Sequence, residues 1–213
     1  MTDFVIDTSQ NMIRDASPVC RDPYDHLGAS EWVDKQIEYG EKLENISGKG
    51  LVEHIQKLSG ELIGCEIGVC HGFTTELLLK QIPNIKKIYA VDSYPSFVDW
   101  DGTRITEERQ SETKQRCFTK LSVFGEKVVF IHDTSTNFSK QVLDEELDFI
   151  FVDGDHSYEA TLADITNYWP KIKKGGIFAG HDINLNTVDA AVKEFFKDKA
   201  VTVVENNAWF IIK

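Results

Sequence analysis

The sequence of 213 residues predicts an α/β fold built on a doubly wound, mostly parallel seven-stranded sheet. Short, nearly continuous apolar runs alternate with helical patterns from about residue 61 onward, which is typical of parallel strands buried on both faces. A glycine-containing turn joins the first apolar run to a helical pattern. The last residues, VTVVENNAWFIIK, have the pattern of two strands joined by a turn, so the sheet is expected to end in an antiparallel hairpin.

The first 58 residues differ in character from the rest and are expected to form an N-terminal helical cap, residues 1–58, on a domain at 59–213. Prolines and several Asp and Asn residues come first, and helical patterns follow at 30–43 and 51–58, with Ser30 placed to begin a helix. Such a cap covers the sheet edge or the active site. A simple packing extension is the other interpretation.

Five apolar runs are the predicted parallel strands, and the terminal hairpin supplies the other two. The five parallel strands are predicted at residues 62–67, 88–91, 128–131, 147–152 and 176–179. Helices are expected after the first strand and near 106–124 and 158–169. The segment 93–110 is expected to be either a loop over a ligand or an ordinary solvated loop.

The first strand runs into the pattern Glu66-x-Gly68-x-x-x-Gly72, and the second strand ends at Asp92. Glycine lacks a Cβ and tolerates positive φ, so Gly68 and Gly72 allow a tight turn close to a ligand. An acid at the end of the second strand reaches the ribose hydroxyls of a nucleotide-like ligand. Glu66 would repel a pyrophosphate and suits a cationic ligand, such as the amino group of a methionine moiety. The segment therefore predicts a cofactor built on adenosine.

Two later strands end in polar clusters. Asp153, Asp155 and His156 follow one apolar run, and His181 and Asp182 follow the next. Neighbouring strands are ~4.8 Å apart, so these side chains can share one ion or one substrate in the crevice at the strand ends. Asp155 either joins this cluster or caps the following helix.

Residues 62–182 resemble class I S-adenosylmethionine-dependent methyltransferases, in particular methyltransferase family 24 and the cation-dependent O-methyltransferases of catechols and caffeoyl-coenzyme A. The resemblance implies a Rossmann-like sheet and S-adenosylmethionine as cofactor, although Cys70 departs from the fuller glycine pattern. The cofactor-binding residues that it implies are Glu66, Gly68, Gly72, Asp92, Ser93, Asp133, Ser135 and Asp153.

The cation-dependent enzymes bind a divalent metal at the acid that ends the fourth strand, which implies Asp153 here, with His181 and Asp182 from the fifth strand. Oxygen ligands favour Mg²⁺ or Mn²⁺, while an imidazole pulls toward Mn²⁺, Fe²⁺ or Zn²⁺. Those enzymes carry a lysine base where this chain has His156, and Asp-Asn where it has His181-Asp182. His156 and His181 are therefore the candidate catalytic bases.

The predicted activity is methyl transfer from S-adenosylmethionine to a hydroxyl of a small molecule, assisted by a divalent cation. One alternative is a metal-independent O- or N-methyltransferase with a histidine base. A second is a nucleotide-dependent oxidoreductase or a noncatalytic adenosine-ligand binder, and Glu66 and the terminal hairpin count against the oxidoreductase. A homodimer is also compatible with the resemblance, because these enzymes often pair.

Composition limits the partners and the compartment. A net charge of −12 argues against nucleic acid and against anionic membrane surfaces, which both attract Lys and Arg. No apolar run approaches the ~20 residues of a spanning helix, and the first residues lack the features of a secretory signal. The four cysteines form no CxxC pair, so reduced thiols in a cytoplasmic protein are expected.

Overall fold

The computed structural model describes residues 26–98 and 103–213. The first 25 residues of the predicted cap and residues 99–102 of the predicted 93–110 loop lie outside the described part. The strands are β1 (Leu62–Ile67), β2 (Ile85–Val91), β3 (Phe97–Val98), β4 (Arg104–Ile105), β5 (Val128–Ile131), β6 (Leu147–Val152), β7 (Ile172–Gly180), β8 (Thr202–Val203) and β9 (Trp209–Ile212).

Helices connect most of these strands. The α-helices are α1 (Ala29–Gly40), α2 (Val52–Ile55), α3 (Phe73–Gln81), α4 (Glu107–Leu121), α5 (Ser135–Phe138), α6 (Tyr158–Tyr168) and α7 (Asn186–Phe196). Short 3₁₀ turns lie at Leu43–Asn45, Lys49–Leu51, Ser122–Lys127, Trp169–Lys171 and Glu205–Asn207. None of the helices in the described ranges combines the length and the apolarity that crossing a bilayer requires.

Within the described part of the chain, seven strands form one sheet in the order β5-β2-β1-β6-β7-β9-β8. Strands β5, β2, β1, β6 and β7 are parallel, and β9 runs antiparallel between β7 and β8. This confirms the predicted Rossmann-like sheet and its antiparallel terminal hairpin. β3 and β4 pair separately as a small antiparallel ribbon, which the sequence analysis did not predict.

The direction in which the chain adds strands reverses between β1 and β6. From β1 the chain moves outward to β2 and β5, and then it returns to place β6 and β7 on the other side of β1. Such a reversal separates the loops at the carboxyl ends of the two central strands and leaves a crevice between them. Most of the residues singled out from the sequence lie at or just after the ends of β1, β2, β6 and β7, around this crevice, while Asp133 and Ser135 follow β5.

The sheet is buried on both faces, because successive side chains of a strand point to opposite sides. On β6, Phe149 and Phe151 belong to one hydrophobic cluster, and Ile150 and Val152 belong to the other. Helix α3 packs in the first cluster, whereas α6 and α7 pack in the second. This two-sided burial explains why the strand reads as a continuous apolar run.

The described part of the N-terminal region contacts the domain in two places. Trp32 and Val33 of α1 form a small cluster with Ile105, next to α4. Leu51 and Ile55 are fully buried in the cluster on the α3 face of the sheet. The predicted helix at 30–43 is observed as α1 and a 3₁₀ turn, and that at 51–58 as a 3₁₀ turn and α2. The division at residue 58 stays a prediction.

Candidate functional site

A glycine loop joins β1 to α3 at the crevice. Gly68 has φ +82° and Gly72 has φ +76°, a region that residues with a Cβ rarely adopt. A Cβ placed on Gly68 would lie 2.0 Å from the carbonyl oxygen of Asp153. Glycine is therefore required at position 68 for the loop to pass this close to the end of β6.

Glu66 lies behind this loop and is only 3% exposed. The hydroxyl of Thr75, on α3, donates a hydrogen bond to its carboxylate. Burial raises the pKa of Glu66 to about 8, against the hydrogen bond from Thr75, which lowers it. The structure thus places Glu66 beside the glycine loop as predicted, but as a buried acid with an internal partner.

Asp92 ties the end of β2 to the glycine loop. Its Oδ2 accepts a hydrogen bond from the Cys70 amide at 2.9 Å, and its Oδ1 accepts one from the Tyr94 amide at 2.7 Å. The Tyr94 hydroxyl donates to the Cys70 carbonyl at 2.9 Å and forms a second link. Burial raises the pKa of Asp92, while the backbone hydrogen bonds counteract this. Each carboxylate oxygen retains a further lone pair, which can accept a ribose hydroxyl.

A cavity of about 340 Å³ opens beside Asp92, a size within the range of small-molecule sites. It is lined by Val69, Ala90, Asp92, Tyr94, Lys114, Gln115, Phe118, Phe130, Ile131 and His132. A larger cavity of about 550 Å³ lies between α1, α3 and α4 and contains none of the predicted site residues. The chemistry at the strand ends makes the smaller cavity the candidate for the cofactor's adenosine.

The residues predicted to contact the purine or the ribose are placed as follows. Asp133 is half-buried after the end of β5, and its Oδ1 accepts hydrogen bonds from the Thr134 amide and the Asn137 side chain. Ser135 begins α5, and its hydroxyl hydrogen-bonds to the buried Asp164 of α6. Ser93 follows Asp92, and its carbonyl accepts a hydrogen bond from His132 Nε2 at 3.2 Å. Asp133 and Ser135 thus already have partners within or beside α5.

The second polar cluster brings together side chains from the ends of β6 and β7. Asp153 follows β6, while His181 and Asp182 follow β7. Consecutive residues of an extended strand point to opposite faces, so both side chains can face Asp153 only if the chain turns. It does turn, because Asp182 has φ +55°. One ligand atom from each of Asp153, His181 and Asp182 lies within 4.8 Å of the others.

Two histidines face the same pair of carboxylates. His181 Nδ1 lies 3.3 Å from Asp153 Oδ1 and 3.0 Å from Asp182 Oδ2. His156 Nε2 lies 3.0 Å from Asp182 Oδ2 and 3.7 Å from Asp153 Oδ1. The structure therefore collects all four residues that the sequence nominated for metal binding and proton transfer.

The carboxylates and imidazoles shift one another's pKa values. Burial acts to lower the pKa of His181, but hydrogen bonds to Asp153 and Asp182 outweigh it and raise the value to about 10. The carboxylate of Asp153, together with that of Asp182, raises the pKa of His156. Burial acts to raise the pKa of Asp153, yet the two histidines hold it well below its ordinary value. The imidazole of His181 therefore carries a proton near pH 7 in the metal-free protein, and the pKa of His156 is shifted in the same direction.

Two contacts that the sequence did not predict, and one of the two roles expected for Asp155, hold this cluster in place. The Trp209 indole donates to the carbonyl of His181 at 3.1 Å, and the Thr187 hydroxyl donates to the carbonyl of His156 at 2.7 Å. Asp155 Oδ1 accepts from the Ser157 amide at 2.8 Å, so Asp155 serves the start of α6. A backbone carbonyl acceptor leaves no residue-type signal in a sequence, which is why Trp209 and Thr187 could not be found from it.

Comparison with known proteins shows that this chain is similar to methyltransferases. A family of methyltransferase domains matches residues 65–183, more than half of the chain. A candidate caffeoyl-CoA O-methyltransferase from Staphylococcus aureus has a TM-score of 0.56 at 16% identity, over 89% of this chain and 95% of that chain. A candidate S-adenosyl-L-methionine-dependent methyltransferase from Methanococcus maripaludis has a TM-score of 0.57 at 14% identity, over 86% and 92%.

A SAM-dependent methyltransferase from Aquifex aeolicus has a TM-score of 0.53 at 14% identity, over 86% of this chain and 96% of that chain. At such identities, the three structures share the fold with this chain. Among curated proteins, none matches the sequence.

Proposed function

This chain belongs to a family of S-adenosylmethionine-dependent methyltransferase domains, and on that premise we propose that it methylates a hydroxyl of a small molecule with the help of a divalent cation. The observation that carries the proposal is the convergence of Asp153, His181 and Asp182, whose ligand atoms lie within 4.8 Å of one another. The cluster stands at the crevice where a sheet of this topology binds its ligands.

The residues at the end of β1 and β2 fit S-adenosylmethionine. Gly68 lets the loop turn at φ +82° and pass close to the backbone of Asp153, and this packing shapes the loop at the end of β1 that is proposed to hold the cofactor. Asp92 offers two fixed carboxylate oxygens beside a cavity, which suits the two ribose hydroxyls. Glu66 lies buried behind the loop, on the side proposed for the cofactor's methionine amino group. With its pKa raised to about 8 it is mainly protonated near pH 7 in the free protein, and a bound ammonium group would favour its carboxylate form.

The residues at the end of β6 and β7 fit a divalent cation. Two carboxylates and an imidazole are common ligands of Mn²⁺, Fe²⁺ and Zn²⁺, and the carboxylates also suit Mg²⁺. When bound, such a cation lowers the pKa of a hydroxyl and orients it for displacement. Two carboxylates held this close also need positive charge nearby, which the imidazolium group of His181 supplies in the metal-free protein.

His156 has two roles open to it in this proposal. Its side chain is 45% exposed, the most open of the four, so it can reach a substrate in the crevice and accept the hydroxyl proton. Its Nε2 also faces both carboxylates, as a further ligand would. His181 is more enclosed and is held from behind by Trp209, which suits a ligand better than a proton shuttle.

The proposal is tested by separating cofactor binding from turnover. The protein is treated exhaustively with a chelator and assayed for S-adenosylhomocysteine release with a panel of catechols, phenols and sugar alcohols. We expect chelation to abolish turnover and Mn²⁺ or Mg²⁺ to restore it, while calorimetry shows unchanged S-adenosylhomocysteine affinity. Full activity after chelation would overturn the role of the cation.

One observation favours a second candidate, a metal-independent O- or N-methyltransferase. Each histidine already forms a close pair with a carboxylate, His156 with Asp182 at 3.0 Å and His181 with Asp153 at 3.3 Å. A carboxylate that orients an imidazole supports general base catalysis without a metal once the imidazole has lost its proton. His181, with its pKa raised to about 10, would lose that proton only at high pH, so His156 is the better placed base in this candidate. Activity that survives chelation and is lost in His156→Ala or His181→Ala would favour this candidate.

A further inference from the structure

We infer that His156 is a fourth protein ligand of the cation, and that the resulting two-histidine, two-aspartate site selects a first-row transition metal over Mg²⁺. The inference rests on the proposed function, because it concerns the same cation. It assigns His156 to coordination, whereas a general base would have to remain free to meet the substrate.

The spacing of the four ligand atoms supports this assignment. Two ligands that each lie ~2.1 Å from one ion are about 3.0 Å apart at a right angle and about 3.4 Å apart at a tetrahedral angle. The four imidazole-to-carboxylate distances are 3.0, 3.0, 3.3 and 3.7 Å, so they bracket both values. His156 Nε2 and His181 Nδ1 face the same oxygen of Asp153 and the same oxygen of Asp182. The ligand atoms that already lie within 4.8 Å of one another are those of Asp153, His181 and Asp182, so coordination by His156 requires its side chain to move toward the ion.

The loop that carries His156 is fixed in the orientation that a ligand requires. Thr187, at the start of α7, holds the His156 carbonyl at 2.7 Å. On the two sides of His156, Asp155 and Ser157 are linked by a hydrogen bond of 2.8 Å, and Ser157 caps α6. A ligand gains from such fixation because less conformational entropy is lost when the ion binds.

The charge of the four groups matches a dication. The two aspartates contribute two negative charges, and neutral imidazoles contribute none, so one divalent ion balances the cluster. Such a cation could take a substrate oxygen as a further ligand, and the 45% exposure of the His156 side chain leaves the cluster open to solvent on that side.

The number of imidazoles decides which metal such a site prefers. Mg²⁺ is bound mainly by carboxylates and water, and it gives up its water reluctantly. Imidazole nitrogen suits Mn²⁺, Fe²⁺, Co²⁺ and Zn²⁺, with affinity rising along the series up to copper. A site with one imidazole among three ligands discriminates weakly between Mg²⁺ and these transition metals. A site with two imidazoles among four ligands prefers the transition metals more strongly.

The experiment titrates metal-free full-length protein with Co²⁺, Mn²⁺ or Mg²⁺ salts alone, followed by calorimetry and by the visible absorption of Co²⁺. We expect Co²⁺ to bind at least about 100-fold more tightly than Mg²⁺. His156→Ala should weaken Co²⁺ binding by about 100-fold or more and change its absorption, since even partners of ligands typically contribute 10–100-fold. Glu159→Gln, which removes an exposed charge from the first turn of α6 but no ligand, is the matched control and should bind Co²⁺ as the wild type does.

A second variant separates coordination from a structural role. His156→Asp keeps a ligand but replaces nitrogen by oxygen, so it should bind a cation and discriminate less between Co²⁺ and Mg²⁺. Equal Co²⁺ affinity in His156→Ala and wild type would overturn the inference while leaving the three-ligand cation site in place. Absence of any cation binding by the wild type would overturn the cation of the proposed function as well. S-adenosylhomocysteine binding verifies that each variant is folded.

Discussion

The side chains of His181 and Asp182 face each other, with Nδ1 and Oδ2 3.0 Å apart, although the two residues are consecutive in the chain. In an extended strand they would point to opposite faces of the sheet. The left-handed backbone of Asp182, φ +55°, brings both to the end of β7, and Trp209 holds the His181 carbonyl there. Asp is one of the few residue types that adopt this conformation readily, so the same residue provides both the turn and a ligand.

Cation binding should release protons. Below a pH of about 10 His181 is protonated in the metal-free protein, and the raised pKa of His156 acts in the same direction. A ligand must be deprotonated, so affinity should rise with pH between 6 and 8, about tenfold per pH unit for each proton released. Calorimetry of Co²⁺ binding in buffers of different ionisation enthalpy counts the protons, and heat that is independent of the buffer would contradict this prediction.

Loss of the Asp92 carboxylate should weaken the cofactor site. Asp92→Ala removes two backbone hydrogen bonds and the proposed ribose contacts, so S-adenosylhomocysteine affinity should fall by ~1.5–3 kcal/mol, the value for hydrogen bonds to a charged group. Calorimetry measures the change. Tyr94→Phe is the comparison, because it removes the links of the hydroxyl to Cys70 and Cys117 but leaves the Asp92 carboxylate in place, and it should have a smaller effect. Unchanged affinity in a folded Asp92→Ala protein would show that the ribose binds elsewhere.

The close approach of the glycine loop to β6 can be tested with a matched pair of glycines. Gly68 and Gly60 have similar φ, +82° and +84°, but a Cβ on Gly60 meets no atom within 4 Å. Gly60→Ala should therefore cost only the backbone strain, about 1–2 kcal/mol. Gly68→Ala adds a clash with the Asp153 carbonyl, so thermal unfolding should show a larger loss, together with weaker S-adenosylhomocysteine binding. Equal losses in the two variants would mean that the loop can move away from β6.

Glu66 should make the stability of the protein depend on pH. Its pKa is raised from 4.5 to about 8 in the folded protein, so the folded state binds a proton that the unfolded state has lost within this window. The free energy of unfolding should therefore fall as pH rises from 4.5 to 8. Glu66→Gln removes this dependence. The difference between its melting temperature and that of the wild type should therefore become more positive from pH 5 to pH 8.5. Substitution of the exposed Glu61 in Glu61→Gln is the control. A melting-temperature difference between Glu66→Gln and wild type that stays constant with pH would refute the raised pKa of Glu66.

Much of the fold follows from local patterns. The bounds of β1, β5 and β6 are those that the apolar runs predicted, because a strand buried on both faces must be apolar throughout. The Asn-containing turn before β9 and the glycine turn after β1 are determined by backbone preferences that the sequence states directly. Helix α7 was missed, although Val188, Ala191, Val192 and Phe196 have a helical spacing and are buried.

The sequence by itself determined which residues stand at the strand ends: Asp92, Asp153, His156, His181 and Asp182. Only the tertiary structure decided how they face one another. The four side chains of the cluster meet because β6 and β7 are adjacent in the sheet and the backbone turns at Asp182. Asp155 lies two residues from Asp153, yet its side chain accepts a hydrogen bond from the Ser157 amide at the start of α6. Local sequence restricts which backbone conformations a residue adopts, but side-chain direction at a strand end is fixed by contacts with residues distant in the chain, such as Trp209 and Thr187.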